Sequence, residues 1–168
     1  TSLGKLLMQE QHPLVVILGG KKKDKLEYVS EFIKKADFVL LGSALAANLT
    51  DAERTALGQK VIFGSGEKDL DTDSQQKFAE VLKTAKTVIW GGPMGRFEDG
   101  FTDGSKAVAG AIIASGAVSI VGGGDTLAVL DKLGLTRRMT YASEAGGAML
   151  AFMSGRKLSA LAALGYYD

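Results

Sequence analysis

The feature that most constrains the fold is a short apolar segment that recurs about six times, each time followed by glycine and a helical pattern. The first copy, Leu14–Leu18, runs directly into Gly19 and Gly20. Apolar runs of this length are typical of strands buried on both faces of a parallel sheet. No hairpin signal joins one run to the next, so each strand must return through a helix. The pattern therefore predicts an α/β fold, a Rossmann-like three-layer sandwich whose parallel sheet of about six strands carries helices on both faces.

The strands and helices can be placed from this pattern. The predicted strands are residues 14–18, 37–41, 60–63, 87–90, 118–121 and 138–142. The predicted helices are residues 2–10, 26–33, 45–49, 52–57, 75–84, 105–115, 125–133 and 148–153, with a closing helical or irregular segment over 158–164. Because His12 and Pro13 end the first helix, we predict a connector over residues 1–13 and one domain over residues 14–168. His12 is expected at the surface.

Composition excludes several classes of protein. The chain has 168 residues, enough for one well-packed domain, and a net charge of +1. The near-zero charge and the few aromatic residues argue against nucleic-acid binding, and no apolar run could span a bilayer. The absence of cysteine excludes disulfides and thiolate metal sites and suits a reducing compartment. We expect a monomeric, cytoplasmic protein, with an organelle as the alternative location.

Glycines mark the edge where a ligand would bind. In open α/β sheets, ligands bind at the carboxyl ends of the strands. Glycines follow each of the six predicted strands, so these loops should converge on one rim. They are Gly19 and Gly20, Gly42, Gly64, Gly91 and Gly92, Gly122 to Gly124, and Gly146 and Gly147.

Two of these loops carry residues suited to phosphate. Gly122, Gly123 and Gly124 end a strand and Asp125 opens a helix, an arrangement that brings main-chain N–H groups close to an anion. Asp125 could hold Mg²⁺ through its carboxylate, although a tight turn with Asp125 as an ordinary N-cap is the alternative.

A cluster of lysines supports the same prediction. Four lysines between positions 21 and 25 follow the first strand and its glycine pair, where they could bind phosphate or form a solvated basic turn. Taken with the glycine loops, they predict a phosphorylated ligand, with a nucleotide as the leading candidate.

Several segments, in this order, resemble those of one enzyme family. Residues 15–20 with Asp24 and Lys25, residues 88–98 and residues 120–126 are similar to characteristic segments of phosphoglycerate kinase, and residues 143–150 are so more loosely. The resemblance covers nearly all of the chain, but only the C-terminal, nucleotide-binding domain of that two-domain enzyme. It implies that the N-terminal phosphoglycerate-binding domain lies outside this chain, and that residues 1–13 correspond to a shortened connector.

The resemblance also implies a reaction and a set of site residues. The reaction is phosphoryl transfer between 1,3-bisphosphoglycerate and ADP in glycolysis, reversible toward ATP and 3-phosphoglycerate, with Mg²⁺ as cofactor. The isolated domain is expected to be inactive. Glu98 would bind the ribose and Asp125 the metal. The implied catalytic residues are Lys25, Gly123 and Gly146. The implied nucleotide-binding residues are Gly19, Gly20, Lys22, Lys25, Gly42, Ser43, Gly92, Pro93, Met94, Glu98, Gly122, Gly123, Gly124, Asp125, Thr126 and Gly147.

The chain departs from the family pattern at several of these places. Gly91 stands where the family has Asn, and Ser43 with Ala44 replaces a Gly-Gly pair. Glu144 with Ala145 replaces Thr-Gly, which puts a carboxylate where an anion should bind. Residues 49–61 also form a shorter segment than is usual. The alternative is therefore a non-catalytic, phosphoglycerate-kinase-like nucleotide-binding or regulatory module. A third, weaker candidate is another phosphate-ligand α/β domain, such as a sugar-nucleotide binder.

Overall fold

The computed structural model describes residues 2–156 and contains one parallel sheet of six strands. The strand order is β3-β2-β1-β4-β5-β6, the order found in doubly wound sheets. The strands are β1 (Leu14–Leu18), β2 (Phe38–Leu41), β3 (Val61–Phe63), β4 (Thr87–Gly91), β5 (Val118–Gly122) and β6 (Tyr141–Ser143). The predicted fold class is confirmed.

Eight α-helices lie in the described part of the chain, most of them between consecutive strands. They are α1 (Ser2–Met8), α2 (Val29–Lys35), α3 (Ser43–Ala46), α4 (Asp51–Leu57), α5 (Thr72–Leu82), α6 (Asp103–Ser115), α7 (Gly124–Lys132) and α8 (Gly146–Met153). Three 3-10 turns, at Lys23–Tyr28, Phe97–Asp99 and Thr136–Arg138, complete the order. None of the helices within residues 2–156 has the length and apolar character needed to cross a membrane.

The central strand β1 is buried on both faces because alternate residues enter two separate cores. Leu14, Val16 and Leu18 pack into the core that contains Phe32 of α2 and residues of α8. Val15 and Ile17 pack into the core formed by residues of α5, α6 and α7. Strand residues point alternately to the two faces of a sheet, so one fully apolar run serves both helix layers.

Some predicted boundaries were wrong, for reasons visible in the hydrogen bonds. The sixth strand was predicted over 138–142, but Thr136–Arg138 is a 3-10 turn and the strand is Tyr141–Ser143. The N–H of Met139 donates to the carbonyl of Thr136, so a backbone group that a strand needs is used in a turn. Further back, α5 begins at Thr72 because the Asp71 side chain accepts from the N–H of Ser74 and caps it.

Other segments shift by a few residues. The helical pattern from Leu26 begins as the 3-10 turn Lys23–Tyr28 and becomes an α-helix at Val29. The short third helix lies at Ser43–Ala46 rather than over 45–49, and the first helix ends at Met8. The predicted closing segment over 158–164 lies outside the described residues.

The connector histidine is exposed, as predicted. His12 Nδ1 lies 2.6 Å from Asp37 Oδ2, and the same carboxylate oxygen accepts from the N–H of Leu14 at 2.6 Å. Burial raises the pKa of the Asp37 carboxyl group. The hydrogen bonds from Leu14 and His12 lower it by more, so the net pKa lies below its ordinary value. The contact ties the residues before β1 to the start of β2, at the end of the sheet opposite the carboxyl ends.

Candidate functional site

A cleft of about 280 Å³ lies at the carboxyl ends of the strands and is called the main cleft here. It forms where the strand order reverses between β1 and β4, the usual ligand position in doubly wound sheets. Three distant parts of the chain meet in it: the segment after β1, the β5–α7 loop and the β6–α8 loop. The predicted site residues that line it are Gly20, Lys22, Lys25, Gly122, Gly123, Gly124, Asp125, Thr126, Gly146 and Gly147.

Glycine is required where the β5–α7 and β6–α8 loops touch. A Cβ atom on Gly146 would lie 2.6 Å from Gly123 Cα, and Gly123 itself has a φ of +109°. The N–H of Gly123 donates to the Ser143 carbonyl at 2.8 Å, which fixes the approach of the two loops. The N-termini of α7 and α8 therefore open side by side on the main cleft, and each first turn has N–H groups without an intrahelical acceptor.

Asp125 is not the N-cap of α7. The N-cap is Gly123, which makes no side-chain cap bond, and Asp125 is the second residue of the helix. Its side chain is exposed in the cleft wall. No cluster of three or more metal-ligating residues occurs within residues 2–156, so Asp125 would supply one carboxylate and a bound ligand the remaining oxygens. This donor set suits Mg²⁺, which usually binds one or two carboxylates together with phosphates and water.

Lys25 reaches the floor of the main cleft from the 3-10 turn Lys23–Tyr28, called the lysine turn here. Its Nζ donates to the Gly19 carbonyl at 2.9 Å, and a Cβ on Gly92 would lie only 2.5 Å from that nitrogen. Burial lowers the pKa of Lys25, although the charges of Asp24 and Asp125 act in the opposite direction. A partly desolvated ammonium group gains more from an added anion than an exposed one does.

A hydrogen bond between Gly92 and Thr126 joins two elements beneath the main cleft. The N–H of Gly92 donates to Thr126 Oγ1 at 2.7 Å, and Trp90 Nε1 donates to the Gly92 carbonyl at 2.7 Å. Thr126 lines the main cleft although only 1% of its surface is exposed. These bonds join the carboxyl end of β4 to the first turn of α7.

A smaller second cleft of about 70 Å³ adjoins the main cleft through Gly20 and Lys21. The predicted residues Ser43, Pro93 and Met94 line it. Gly42 lies behind it, where a Cβ would be 3.3 Å from Gly19 Cα.

Four predicted residues line neither cleft: the closely packed glycines Gly19, Gly42 and Gly92, and Glu98. Glu98 lies on the exposed 3-10 turn Phe97–Asp99 and is absent from the lining of either cleft. The nucleotide-binding role that the resemblance implies for it therefore depends on a ligand that extends beyond these walls.

Several lining residues were not predicted as site residues from the sequence. Tyr28 and Leu150 line the main cleft, and Glu67, Lys68, Gly95 and Arg96 line the second. Tyr28 and Leu150 follow predicted site residues by three or four positions, a spacing that places side chains on one helix face and could have indicated them. Arg96 follows directly on the glycine-proline segment, whereas no local signal marks Lys68.

The charges that line the main cleft cancel. Three cations, Lys21, Lys22 and Lys25, face three carboxylates, Asp24, Asp125 and Glu144. Glu144 is exposed, and within the described residues its carboxylate has no hydrogen bond or ion pair. It therefore stands in the lining of the cleft as a carboxylate without a direct partner among the described residues.

Fold and site together define a doubly wound α/β protein with a cleft at the carboxyl ends of its strands, lined by glycine loops, helix N-termini and a half-buried lysine. The sequence model described as phosphoglycerate kinase matches residues 61–156. The chain belongs to the phosphoglycerate kinase family.

Similar proteins agree with this assignment. The chain is 32% identical to the phosphoglycerate kinase of Baumannia cicadellinicola subsp. Homalodisca coagulata, in a match that covers 96% of this chain and 53% of that protein. It is 31% identical to that of Herpetosiphon aurantiacus, in a match that covers 97% of this chain and 54% of that one. The chain thus spans about half the length of the curated relatives it matches.

Solved structures of phosphoglycerate kinases share the fold. The Coxiella burnetii structure superposes with a TM-score of 0.83 at 29% identity, over 98% of this chain and 55% of that one. The Pyrococcus horikoshii structure gives 0.80 at 26% identity, over 98% and 54%.

Proposed function

We propose that this chain is the nucleotide-binding domain of a phosphoglycerate kinase, a phosphotransferase of glycolysis that transfers phosphate between 1,3-bisphosphoglycerate and ADP. The observation that carries the proposal is the convergence of Lys25, Asp125 and the paired glycine loops in one cleft. These groups come from three distant parts of the chain. Lys25 and the helix N-termini at the glycine loops are of types that bind phosphate, and Asp125 is of the type that binds the Mg²⁺ accompanying it.

The proposed chemistry is in-line phosphoryl transfer without a covalent enzyme intermediate. Lys25 would donate to the transferring phosphate, and the first-turn N–H groups of α7 and α8 would hold the phosphate oxygens. Gly123 and Gly146 would let the backbone approach these oxygens. Asp125 would hold Mg²⁺, which supplies neutralisation of phosphate charge when it is bound. The residues act by positioning and by charge, so the groups must be in place before the reaction.

The nucleotide is proposed to lie across both clefts. Its phosphates would occupy the main cleft on Gly20, Lys22 and the Gly122–Thr126 region, and its base would lie toward Ser43, Pro93 and Met94. Gly19, Gly42 and Gly92 form the floor beneath. The phosphoglycerate site is proposed to belong to a domain outside this chain. The 168 residues alone are therefore expected to bind nucleotide and to transfer no phosphate. A monomeric state and a cytoplasmic location remain predictions.

The direct test is the affinity for ADP after removal of the half-buried Lys25. Lys25→Ala should weaken ADP binding by about 1–3 kcal/mol, the range for a hydrogen bond to a charged group. Lys23→Ala is the matched control, because Lys23 is an exposed neighbour that does not line the main cleft. Calorimetric titration should show little change for the control. Equal affinity of Lys25→Ala and the unaltered chain would remove Lys25 from the site.

The metal role of Asp125 is tested by comparing ADP affinity in the presence and in the absence of Mg²⁺. Asp125→Asn should reduce the affinity for Mg·ADP roughly tenfold or more, about 1.4 kcal/mol, and should change metal-free ADP binding much less. Both titrations are run on the same preparation, the second with a chelator present. An equal loss in the two conditions would show that the carboxylate acts on the nucleotide or on the helix rather than through a metal.

The cancelled charge of the main cleft favours the second candidate, a non-catalytic nucleotide-binding or regulatory module. If Glu144 opposes phosphate binding, Glu144→Thr should raise the affinity for ADP roughly fivefold, since removal of like-charge repulsion at a partly exposed site is worth about 1 kcal/mol. Glu80→Thr, which removes an exposed carboxylate from α5, controls for net charge. Unchanged or weaker binding in Glu144→Thr would leave the module without its main support.

A further inference from the structure

Arg156 follows α8 and makes more polar contacts to the lysine turn and α2 than a simple surface arginine would. Its Nε and Nη2 donate to Glu31 Oε1 at 3.0 and 2.9 Å, and Nη2 also donates to the Glu27 carbonyl at 2.8 Å. Its Nη1 lies 3.4 Å from Glu27 Oε1, and its guanidinium carbon stacks 4.5 Å from the centre of the Tyr28 ring. One guanidinium group thus contacts Glu27 and Tyr28 of the lysine turn and Glu31 of α2, and of these Tyr28 lines the main cleft.

The same arginine is fixed to the opposite wall through its backbone. The N–H of Arg156 donates to the Ala151 carbonyl of α8 at 2.9 Å. At its other end, α8 places Gly146, Gly147 and Leu150 in the main cleft. Arg156 therefore bridges the helix that forms one wall and the turn that forms the other.

The lysine turn is held to the core only by partly buried side chains, those of Leu26 and Tyr28. None of its six residues is buried, and Lys22, which precedes it, makes no side-chain cap bond. A short 3-10 turn has poor hydrogen-bond geometry and needs outside contacts to hold its shape. Two of its residues, Lys25 and Tyr28, nevertheless line the main cleft, so their positions depend on what holds the turn.

We propose that Arg156 is a positioning residue for phosphate binding, which sets the place of Lys25 by clamping the lysine turn to α8. The proposal rests on the proposed function, because it assumes that Lys25 binds the phosphates of a nucleotide. The clamp depends on the planar fork of the guanidinium group, which donates to a carbonyl and a carboxylate while it stacks on an aromatic ring. An arginine side chain is charged throughout the neutral pH range, so the ion pair of Arg156 with Glu31 is available there.

A neighbouring contact provides the matched control. Lys35 Nζ donates to the Met153 carbonyl at 2.6 Å and to Glu10 Oε2 at 3.2 Å, so it joins α2 to the end of α8. Neither acceptor belongs to the lysine turn. Lys35→Ala therefore removes a contact between α2 and the end of α8 and leaves the contacts of the lysine turn, and so Lys25, in place.

The experiment is a double-mutant cycle on the full 168-residue chain, with the Kd for Mg·ADP measured by calorimetry and the fold checked by thermal unfolding. Arg156→Ala should raise the Kd fivefold or more, and Lys35→Ala should leave it within twofold. Arg156→Lys should recover only part of the loss, since an ammonium group cannot make the fork. In a Lys25→Ala background, Arg156→Ala should change the Kd less than twofold, because its effect acts through Lys25.

Two results would overturn the inference while the proposed function stands. One is an Arg156→Ala chain that binds Mg·ADP as the unaltered chain does, while Lys25→Ala binds weakly. The other is independent losses that multiply in the double variant, which would mean that Arg156 does not act through Lys25. Failure of the unaltered chain to bind Mg·ADP at all would instead overturn the proposed function.

Discussion

Replacing Trp90 with alanine is expected to lower the free energy of unfolding by about 3–5 kcal/mol, the range for losing a fully buried large aromatic side chain. Trp90 has none of its surface exposed and packs among the residues of the core beneath α5, α6 and α7. Its Nε1 also donates to the Gly92 carbonyl, so alanine leaves a cavity and an unpaired buried acceptor together. Urea unfolding followed by circular dichroism measures the loss.

A phenylalanine at the same position separates the two causes. Trp90→Phe retains most of the ring volume but cannot donate to Gly92. It should lose about 1–3 kcal/mol, the cost of an unsatisfied buried group. A loss under 1 kcal/mol for Trp90→Ala, with an unchanged slope against urea, would contradict the packing described for β4. Equal losses in both variants would attribute the whole effect to the hydrogen bond.

Gly92→Ala is expected to destabilise the chain by about 2–6 kcal/mol, since it combines overpacking with a strained backbone. Gly92 has a φ of +99°, and a Cβ there would lie 2.1 Å from the Gly19 carbonyl oxygen. The same Cβ would lie 2.5 Å from Lys25 Nζ, so the lysine must move as well. Chemical unfolding should show the lost stability, and ADP titration should show weaker binding in whatever fraction remains folded.

Gly110→Ala is the matched control for that substitution. Gly110 is an exposed glycine inside α6, and a Cβ there would meet no atom within 4 Å. Alanine should stabilise the chain by about 0.5–1 kcal/mol because glycine is costly inside a helix. If both glycine variants changed stability by the same amount, the close approach of the loops after β1 and β4 would be incorrect.

Much of the site could be predicted from the sequence, because its glycines and lysines meet requirements of the local backbone. Gly123 has a positive φ, and Gly146 makes a contact that leaves no room for a Cβ atom. Both positions therefore require glycine, and the glycines are visible in the sequence. The lysines follow a strand directly, and the carboxyl ends of parallel strands always share an edge. Ten predicted residues therefore meet in the main cleft.

Other assignments failed because they depended on hydrogen bonds that no local pattern records. The N-cap role that stood as the alternative for Asp125 is wrong, because Gly123 is the N-cap and the Asp125 carboxylate lies in the cleft wall. The apolar pattern near Met139 resembled a strand start, but turn hydrogen bonds use its N–H. A turn and a strand compete for the same backbone groups, and the outcome depends on the neighbouring strand.

By itself, the sequence determined the fold class. Apolar runs of strand length alternate with helical patterns, and a parallel sheet with helices on both faces is the arrangement that buries such runs. It also determined which loops could approach an anion. Only the tertiary structure decided that Tyr28 and Leu150 line the main cleft, that Lys68 and Arg96 line the second, and that Arg156 joins its walls. Those positions follow from the order β3-β2-β1-β4-β5-β6 and from packing across it. The strand order depends on the apolar surface buried over the whole sheet, which cannot be read from any short segment of the sequence.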